Sequence, residues 1–184
     1  MTNSLAGQDL PPVQVEVRPA EELTEAEQRA VEELGGGDLN VHPLLAQLEW
    51  APAHWRVLVR AGGKVVSGLK LVEREVWVGQ RRVPVVGVGD VATLPAWRHR
   101  GLASLALARA GEFICHQSSA RFGLLFCAGN LLGFYQRLGW RRVAGPTFVQ
   151  APWGKVRFPE ETMILECGSE EWPPGEIDLE GLPW

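Results

Sequence analysis

Two arginines and a glycine lie close together in Arg98-His99-Arg100-Gly101, immediately before a segment whose apolar residues recur at helical spacing. The first backbone N–H groups of a helix have no partner within the helix and lie at the positive end of its dipole, so a phosphate or pyrophosphate is a natural ligand there. Arg98 and Arg100 could add charged hydrogen bonds to such an anion, and Gly101 would let it approach the backbone. Taken alone, these residues are equally compatible with a purely structural turn.

Tyr135 is the second candidate for chemistry, and it is the only tyrosine in the chain. A phenol has a pKa of about 10, close to that of a thiol, so it can donate a proton to a thiolate that leaves a thioester. The residue lies in Asn130-Leu-Leu-Gly-Phe-Tyr-Gln-Arg-Leu-Gly-Trp140, which also suits a short helix with a packed aromatic side chain. From the residue type alone, Tyr135 could therefore be either a general acid or a packing residue.

Together, these two segments resemble the motifs of the GCN5-related N-acetyltransferase (GNAT) superfamily. Arg98-x-x-Gly101-x-Ala103 is similar to its Gln/Arg-x-x-Gly-x-Gly/Ala motif, which binds the pyrophosphate of acetyl-CoA, and Asn130 to Trp140 looks like its Asn…Tyr-x-x-Leu-Gly-Phe/Trp motif. The motifs have the expected order and spacing, and the resemblance covers most of the chain. It implies an acetyl-CoA-dependent N-acetyltransferase that acts on a primary amine of a small cationic molecule.

The resemblance also implies roles for residues on the cofactor side of the site. Tyr135 falls on the position that protonates the leaving thiolate, and a backbone N–H near Val91 or Ala92 would polarise the thioester carbonyl. Val91 and Thr93 would pair with the pantetheine amides like an added strand. The residues expected to bind acetyl-CoA are Val91, Ala92, Thr93, Arg98, His99, Arg100, Gly101, Leu102, Ala103, Asn130 and Phe134.

Asp90 is the candidate general base, acting directly or through a water molecule. It lies in the otherwise apolar segment Val88-Gly-Asp-Val-Ala92, where an unpaired carboxylate would be costly, so it either faces the cleft or binds a neighbour. Members of the superfamily often carry a glutamate one residue earlier, where this chain has Gly89. The assignment of the base to Asp90 therefore departs from the family pattern.

The C-terminal half is more narrowly similar to the aminoglycoside 2'-N-acetyltransferase branch of the superfamily. That branch shares a Gly-Trp…Gly-Pro-Thr…Ala-Pro run, found here between Gly139 and Pro152, with an acidic Pro-Glu segment and a terminal tryptophan. The resemblance implies that Asp38, Glu160 and the carboxylate of Trp184 bind the amine substrate. A second acid after Asp38 and an acid before Trp184 are missing, so a polyamine, an amino sugar or another metabolite amine stays open as the acceptor.

Two further functions are compatible with these motifs. A protein that keeps the cofactor loop without turnover would be an acyl-CoA-binding sensor, and a GNAT enzyme with a peptide groove would acetylate a peptide or protein amine. The combination of Tyr135 with Asp90 favours catalysis. The sequence has neither a Gly-x-Ser-x-Gly elbow nor a Gly-Lys-Ser/Thr phosphate loop, which argues against a serine hydrolase and a P-loop enzyme.

The elements that would position these residues predict an α/β (α+β) fold, in which an antiparallel meander leads into a strand-helix-strand unit. The alternating residues from Val83 to Thr93 predict the central strand, and the continuous apolar run from Phe122 to Cys127 predicts a buried, parallel-type strand. The resemblance implies the GNAT fold, a mixed and mostly antiparallel sheet with flanking helices, in which these two strands splay apart to admit pantetheine.

The remaining elements follow from turn and capping residues. We predict a strand over Val13 to Arg18, followed by a helix that begins at a Thr24/Glu27 capping box and ends at Gly35-Gly36-Gly37. A short helical segment is predicted over His42 to Glu49, and a hairpin from Trp55 to Val78 turns at Gly62-Gly63. The last predicted element of this group is a helix over Gly101 to Gln117.

Composition and charge narrow the class of protein. A chain of 184 residues with 46% hydrophobic and 22% charged residues suits one globular domain, predicted over residues 13–184 after a flexible tail at residues 1–12. The net charge of −4 argues against nucleic-acid binding, and no apolar stretch suits a membrane span or a secretion signal. Three cysteines without metal-ligand spacing predict buried free thiols and no metal site. We therefore expect a cytoplasmic enzyme, with a homodimer possible because many GNAT enzymes are dimers.

Overall fold

In the computed structural model of this chain, residues 11–35 and 42–184 are described, and these residues form ten strands and three α-helices. In chain order the elements are β1 (Val13–Pro19), α1 (Glu25–Gly35), β2 (Trp55–Ala61), β3 (Lys64–Val78), β4 (Arg81–Thr93), α2 (Leu102–His116), β5 (Phe122–Cys127), α3 (Leu132–Gln136), β6 (Arg141–Arg142), β7 (Thr147–Ala151), β8 (Gly154–Arg157), β9 (Glu161–Glu166) and β10 (Ile177–Asp178).

The described strands form one sheet, with β3 and β4 at its centre. Strands β1 to β4 pair antiparallel in chain order, which confirms the predicted meander. After the α2 crossover, β5 joins β4 in parallel, and β9 pairs antiparallel with β5. On the other side, β10 pairs with the end of β3 and with β7, which pairs with β8. This mixed sheet with flanking helices confirms the predicted fold class.

Different parts of the chain bury the two faces of the sheet. Successive side chains of a strand point to opposite faces, so Val86 and Val88 pack on the side of α2, whereas Val83 and Val85 pack on the side of Trp184. Helix α1 covers part of this second side through Leu34, which clusters with residues of β2 and β3. Helix α2 and the C-terminal segment therefore lie on opposite faces of β4.

The prediction of three free thiols is wrong for two of them. Cys115, near the end of α2, and Cys167, just after β9, form a disulfide with a Cα–Cα distance of 4.9 Å. They are 52 residues apart in sequence and no motif connects them, because only the pairing of β5 with β9 brings Cys167 beside the helix that precedes β5. Cys127 is a buried free thiol, as predicted.

Local signals near the N-terminus have mixed outcomes. The capping box is confirmed: the N–H of Thr24 donates to Oε2 of Glu27 at 2.8 Å, and the N–H of Glu27 donates to Oγ1 of Thr24 at 3.3 Å. The predicted helix from His42 to Glu49 is reduced to a 3₁₀ turn at Leu45–Gln47, because so short a segment cannot offset the cost of helix nucleation. Residues 1–10 of the predicted tail lie outside the described residues.

Candidate active site

The turn before α2 has the geometry of an anion site. Gly101 is the N-cap of α2 at φ = +77°, in the left-handed region that glycine adopts without penalty. The first helical bond runs from the N–H of Leu105 to the carbonyl of Gly101 at 3.0 Å, so the N–H groups of the three residues between them have no helical acceptor. A Cβ placed on Gly101 would meet nothing within 4 Å. The space beside Gly101 at the start of α2 is therefore open.

The neighbouring side chains fix the shape of this turn and leave its charges exposed. Nε of Arg98 donates to the carbonyl of Thr93 at 3.2 Å, which ties the turn to the end of β4. The guanidinium of Arg100 lies 5.3 Å from the centre of the Trp97 ring. His99 also has a positive φ, of +61°. Two exposed cations and free helical N–H groups can hold a pyrophosphate.

Strands β4 and β5 separate at the point where the family resemblance predicts a slot for pantetheine. The parallel pairing of β4 with β5 runs only from Val85/Phe122 to Val88/Leu125, so β4 continues to Thr93 with no pairing to β5. Its pairing with β3 is also irregular, because Gly68 pairs with Ala92 and Lys70 pairs with Gly89. Two residues, Asp90 and Val91, thus oppose one residue of β3. This is a β-bulge, which bends the strand and re-aims its backbone groups.

Tyr135 lies on α3, just beyond the end of β5. The loops after parallel strands meet at one edge of a sheet, so α3 follows β5 at the edge where the turn before α2 follows β4. Tyr135 is 6% exposed, and its ring packs edge-on against Phe134, with 5.0 Å between ring centres. Burial raises the pKa of Tyr135 well above its usual value, and the negative charges that Cys127 and Glu160 carry when ionised raise it further. The phenol is therefore protonated, as a proton donor must be.

Asp90 does not stand alone at the bulge. Its Oδ2 lies 3.2 Å from Nη1 of Arg56 and 3.4 Å from Nζ of Lys70. Lys70 is nearly fully buried and also donates to the carbonyl of Ala51 at 3.2 Å. Burial lowers the pKa of Lys70, the positive charge of Arg56 lowers it further, and Asp90 opposes both effects. Of the two arrangements expected for Asp90, the structure therefore shows the one in which it binds neighbours.

Trp184 lies flat against β4 on the face opposite α2. Its indole Nε1 donates to the carbonyl of Leu124 at 3.2 Å, and the ring covers Gly87, where a Cβ would lie 2.1 Å from a ring atom. A Cβ on Gly89 would lie 2.7 Å from the main-chain carbonyl carbon of Trp184 and 3.0 Å from Cε of Lys70. The space that a side chain at position 89 would take is therefore filled by Trp184.

Glu160 lies in the wall of a cavity of about 750 Å³ on the same side of the sheet as Trp184. Burial raises the pKa of Glu160, and the charge of His42 partly opposes this. Burial raises the pKa of the Cys127 thiol to about 11, and the charges of Glu160 and Glu161 raise it further. Because Glu161 pairs with Cys127 between β9 and β5, Glu160 lies one residue from that pair. Asp38, the other predicted acid, lies outside the described residues.

Several residues of this region were not identified from the sequence. Lys70 could have been found, because a lone lysine interrupts the apolar run of β3. A group of packed aromatic rings could not have been found, because the rings come from segments far apart in the sequence. The ring centre of Phe126 lies 4.4 Å from that of Phe158 and 5.5 Å from that of Trp184, and the ring centres of Trp50 and Phe158 are 6.4 Å apart.

Neither a metal-binding cluster nor a membrane-spanning helix is found in the part of the chain that the structure describes. No group of three or more His, Cys, Asp or Glu side chains there could hold a metal ion. Within the same residues, no helix has both the length and the apolar character that crossing a bilayer requires.

Comparisons with known proteins agree with this geometry. The family model for an acetyltransferase (GNAT) domain matches residues 43–143, more than half of the chain. Among solved structures, Escherichia coli ElaA has a TM-score of 0.62 and 15% identity, over 84% of this chain and 100% of that one. A GNAT family acetyltransferase from Brucella melitensis, crystallised with acetyl-CoA, has a TM-score of 0.59 and 16% identity, over 90% and 94%. No curated protein matches the sequence.

A GCN5-related N-acetyltransferase from Kribbella flavida has a TM-score of 0.54 and 20% identity over 73% of this chain, which spans only about a third (34%) of that protein. The structural likenesses establish the fold, and the family model covers both the turn at Gly101 and the helix that carries Tyr135. The chain belongs to the GNAT family of acetyltransferases, and the enzyme class predicted from its sequence is confirmed.

Proposed function

We propose that this enzyme transfers the acetyl group of acetyl-CoA to a primary amine of a small cationic molecule, with Tyr135 as general acid and Asp90 as general base. The single observation that carries the proposal is the position of the buried, protonated Tyr135, on the helix that follows β5 at the edge where β4 and β5 separate. The open turn at Gly101 follows β4 at the same edge. An anchored thioester would thus have a proton donor within its reach.

Each step of the transfer has a residue to support it. Bound acetyl-CoA supplies a thioester carbonyl that an amine nitrogen can attack, with a C–N bond formed and the C–S bond broken. A backbone N–H of the bulge near Val91 or Ala92 would polarise the carbonyl oxygen. Tyr135 would donate its proton to the departing sulfur, and Asp90 would accept the proton lost by the amine, directly or through water. Help of this kind is typically worth about 10² to 10⁴ in rate.

The cofactor contacts follow from the same arrangement. We propose that the N–H groups at Leu102 and Ala103, with Arg98 and Arg100, hold the pyrophosphate, and that Val91 and Thr93 pair with the pantetheine amides. The free β5 side of β4 beyond Val88 supports this pairing. The remaining residues proposed to line the cofactor path are Ala92, His99, Gly101, Asn130 and Phe134.

On the acceptor side, we propose that Glu160, the carboxylate of Trp184 and Asp38 attract the amine. The proximity of Glu160 to Tyr135 and the contact of Trp184 with Gly89 support the first two. An aminoglycoside is one candidate acceptor, on the motifs shared with the 2'-N-acetyltransferase branch.

The role of Tyr135 is tested by Tyr135→Phe, which removes only the hydroxyl. We expect kcat for thiol release from acetyl-CoA to fall by about 10² to 10⁴, because the proposed proton donor to the sulfur is then missing. Coenzyme A affinity, measured by calorimetry, should stay nearly the same, since the anchor turn is untouched. Leu138→Ala, which trims a side chain packed on the same core cluster in the turn after Tyr135 without removing a proton donor, is the matched control for packing. Full activity of Tyr135→Phe would remove the general acid from the proposal.

A further inference from the structure

The cavity beside Glu160 has a charge pattern that a polycation would not match. His42 and Leu44, just before the 3₁₀ turn at Leu45–Gln47, form a small part of its wall, and the rest comes from the chain from β6 to β9. Of its ionisable side chains, Arg142 and Glu161 bind each other through two bonds of 2.6 and 3.0 Å. That pair neutralises one cation and one anion of the wall.

The remaining strong charges have opposite signs. Arg157 and Glu160 form no ion pair and no side-chain hydrogen bond with any residue in 11–35 or 42–184. Arg157 is exposed at the end of β8, and Glu160 is partly buried just before β9. An acceptor that carried several amines would meet one carboxylate here and would be repelled by the guanidinium. An acceptor with one amine and one acidic group would satisfy both residues.

The two charges also lie at different distances from the proposed reaction centre. Glu161 pairs with Cys127 at the end of β5 that leads to α3 and Tyr135, so Glu160, the next residue, lies at this end of the cavity, and its charge acts on both Cys127 and Tyr135. Arg157 is three residues earlier, so its backbone lies no more than about 10 Å from that of Glu160. Phe158, between them, is buried against Phe126 and forms an apolar floor. This spacing suits a small molecule rather than a chain.

On this basis, and resting on the acetyl transfer to a primary amine proposed above, we infer that the cationic amine of the acceptor belongs to a small molecule that also bears an anionic carboxylate or phosphate group, with Glu160 binding the amine end and Arg157 binding the acidic end. Arg157 is then a specificity residue, which acts by positioning and takes no part in proton transfer. The carboxylate and phosphate sources share one chemistry, a planar or tetrahedral oxyanion that a guanidinium binds through two hydrogen bonds.

The test compares amines that differ by the acidic group alone. Thiol release from acetyl-CoA is measured with lysine and cadaverine, phenylalanine and phenethylamine, and glucosamine 6-phosphate and glucosamine, with spermidine and kanamycin as polycations without an acid. We expect kcat/KM for the acidic member of at least one pair to exceed that of its partner by about tenfold to a hundredfold, the worth of one charged hydrogen-bonded contact. The carboxylate and phosphate pairs distinguish the two sources.

The same pairs are measured on two matched variants. Arg157→Gln should bring the ratio within the preferred pair to about one while kcat/KM for the acid-free member stays unchanged. Arg121→Gln removes an exposed arginine at the opposite end of β5 and should leave the ratio as it is. A ratio of one in the unmodified enzyme, a preference for spermidine or kanamycin, or an unchanged ratio in Arg157→Gln would overturn the inference while the proposed function stands.

If coenzyme A binds but no probe releases thiol, the proposed function fails, and calorimetric titration of the same pairs decides the inference by itself. Tighter binding of the acidic member, lost in Arg157→Gln and kept in Arg121→Gln, would support it. Equal binding of both members would refute it.

Discussion

At the scale of single residues, the environment of the reacting end fixes which groups carry protons. Tyr135 and Cys127 are both buried, and burial penalises the charged form of each, so both remain neutral at physiological pH. A neutral thiol is a weak nucleophile. Cys127, whose Sγ lies 3.7 Å from Sδ of Met163, is therefore poorly suited to accept the acetyl group, and direct transfer to the amine is favoured.

The raised pKa of Cys127 predicts a loss of stability at alkaline pH. The ordinary pKa of a cysteine thiol is 9.0, and that of Cys127 in the folded protein is about 11. Between these two pH values, the thiol loses its proton only in the unfolded chain. Rising pH thus favours unfolding, by about 1.4 kcal/mol per pH unit. Chemical denaturation of Cys127→Ala across this range should lack that decline, with the contribution of Tyr135 beginning only above about pH 10. Parallel pH profiles for both proteins would contradict the assignment.

The proposed base is tested by Asp90→Asn. If Asp90 accepts the proton of the amine, we expect kcat to fall by about 10² to 10⁴. Arg56→Gln breaks the same ion pair from the other side and should lower kcat far less, because it leaves the carboxylate in place. Equal effects of the two substitutions would show that the ion pair has only a structural role.

At the scale of elements, a bulge, a helix end and a disulfide hold the cofactor side of the site together. The bulge at Asp90 and Val91 bends β4 away from its partner, and Arg98 then ties the following turn to Thr93. Helix α2 begins at this turn, and its far end is linked to the segment after β9 through Cys115 and Cys167. Helix α2 is thereby fixed at both ends.

We expect the double variant Cys115→Ala/Cys167→Ala to lose about 4 kcal/mol of unfolding free energy, because the disulfide closes a loop of 52 residues in the unfolded chain. Urea denaturation with and without a reducing agent measures this difference. Reduction should destabilise the unmodified protein and leave the double variant unchanged. Titration of three thiols, instead of one, in the denatured and unreduced protein would contradict the disulfide.

At the scale of the whole molecule, the chain order of strand, helix, strand and helix places both motifs at one edge of the sheet. This much was predictable, because the apolar alternation of Val83 to Thr93, the run from Phe122 to Cys127 and the capping box at Thr24 are local signals. The motifs at Gly101 and Tyr135 then identified the family.

The contacts that shape the acceptor side were not predictable, because residues far apart in sequence make them. Trp184 on Gly87 joins positions 97 residues apart, and its close fit accounts for Gly87 and for Gly89, the glycine found where the family often carries a glutamate. The ion pairs of Asp90 with Arg56 and Lys70 depend on the register of β2, β3 and β4. The disulfide depends on the pairing of β5 with β9.

The central claim is that the backbone at the start of α2 holds the pyrophosphate of coenzyme A, and calorimetric titration of coenzyme A into Gly101→Ala tests it most directly. The matched control is Gly63→Ala at the β2–β3 turn, because Gly63 also has a positive φ (+81°) and a Cβ there also meets nothing within 4 Å. We expect Gly63→Ala to bind like the unmodified protein and Gly101→Ala to bind at least about tenfold more weakly, a difference of about 1.4 kcal/mol. Equal affinities for the two variants, or no binding heat in the unmodified protein, would contradict the claim.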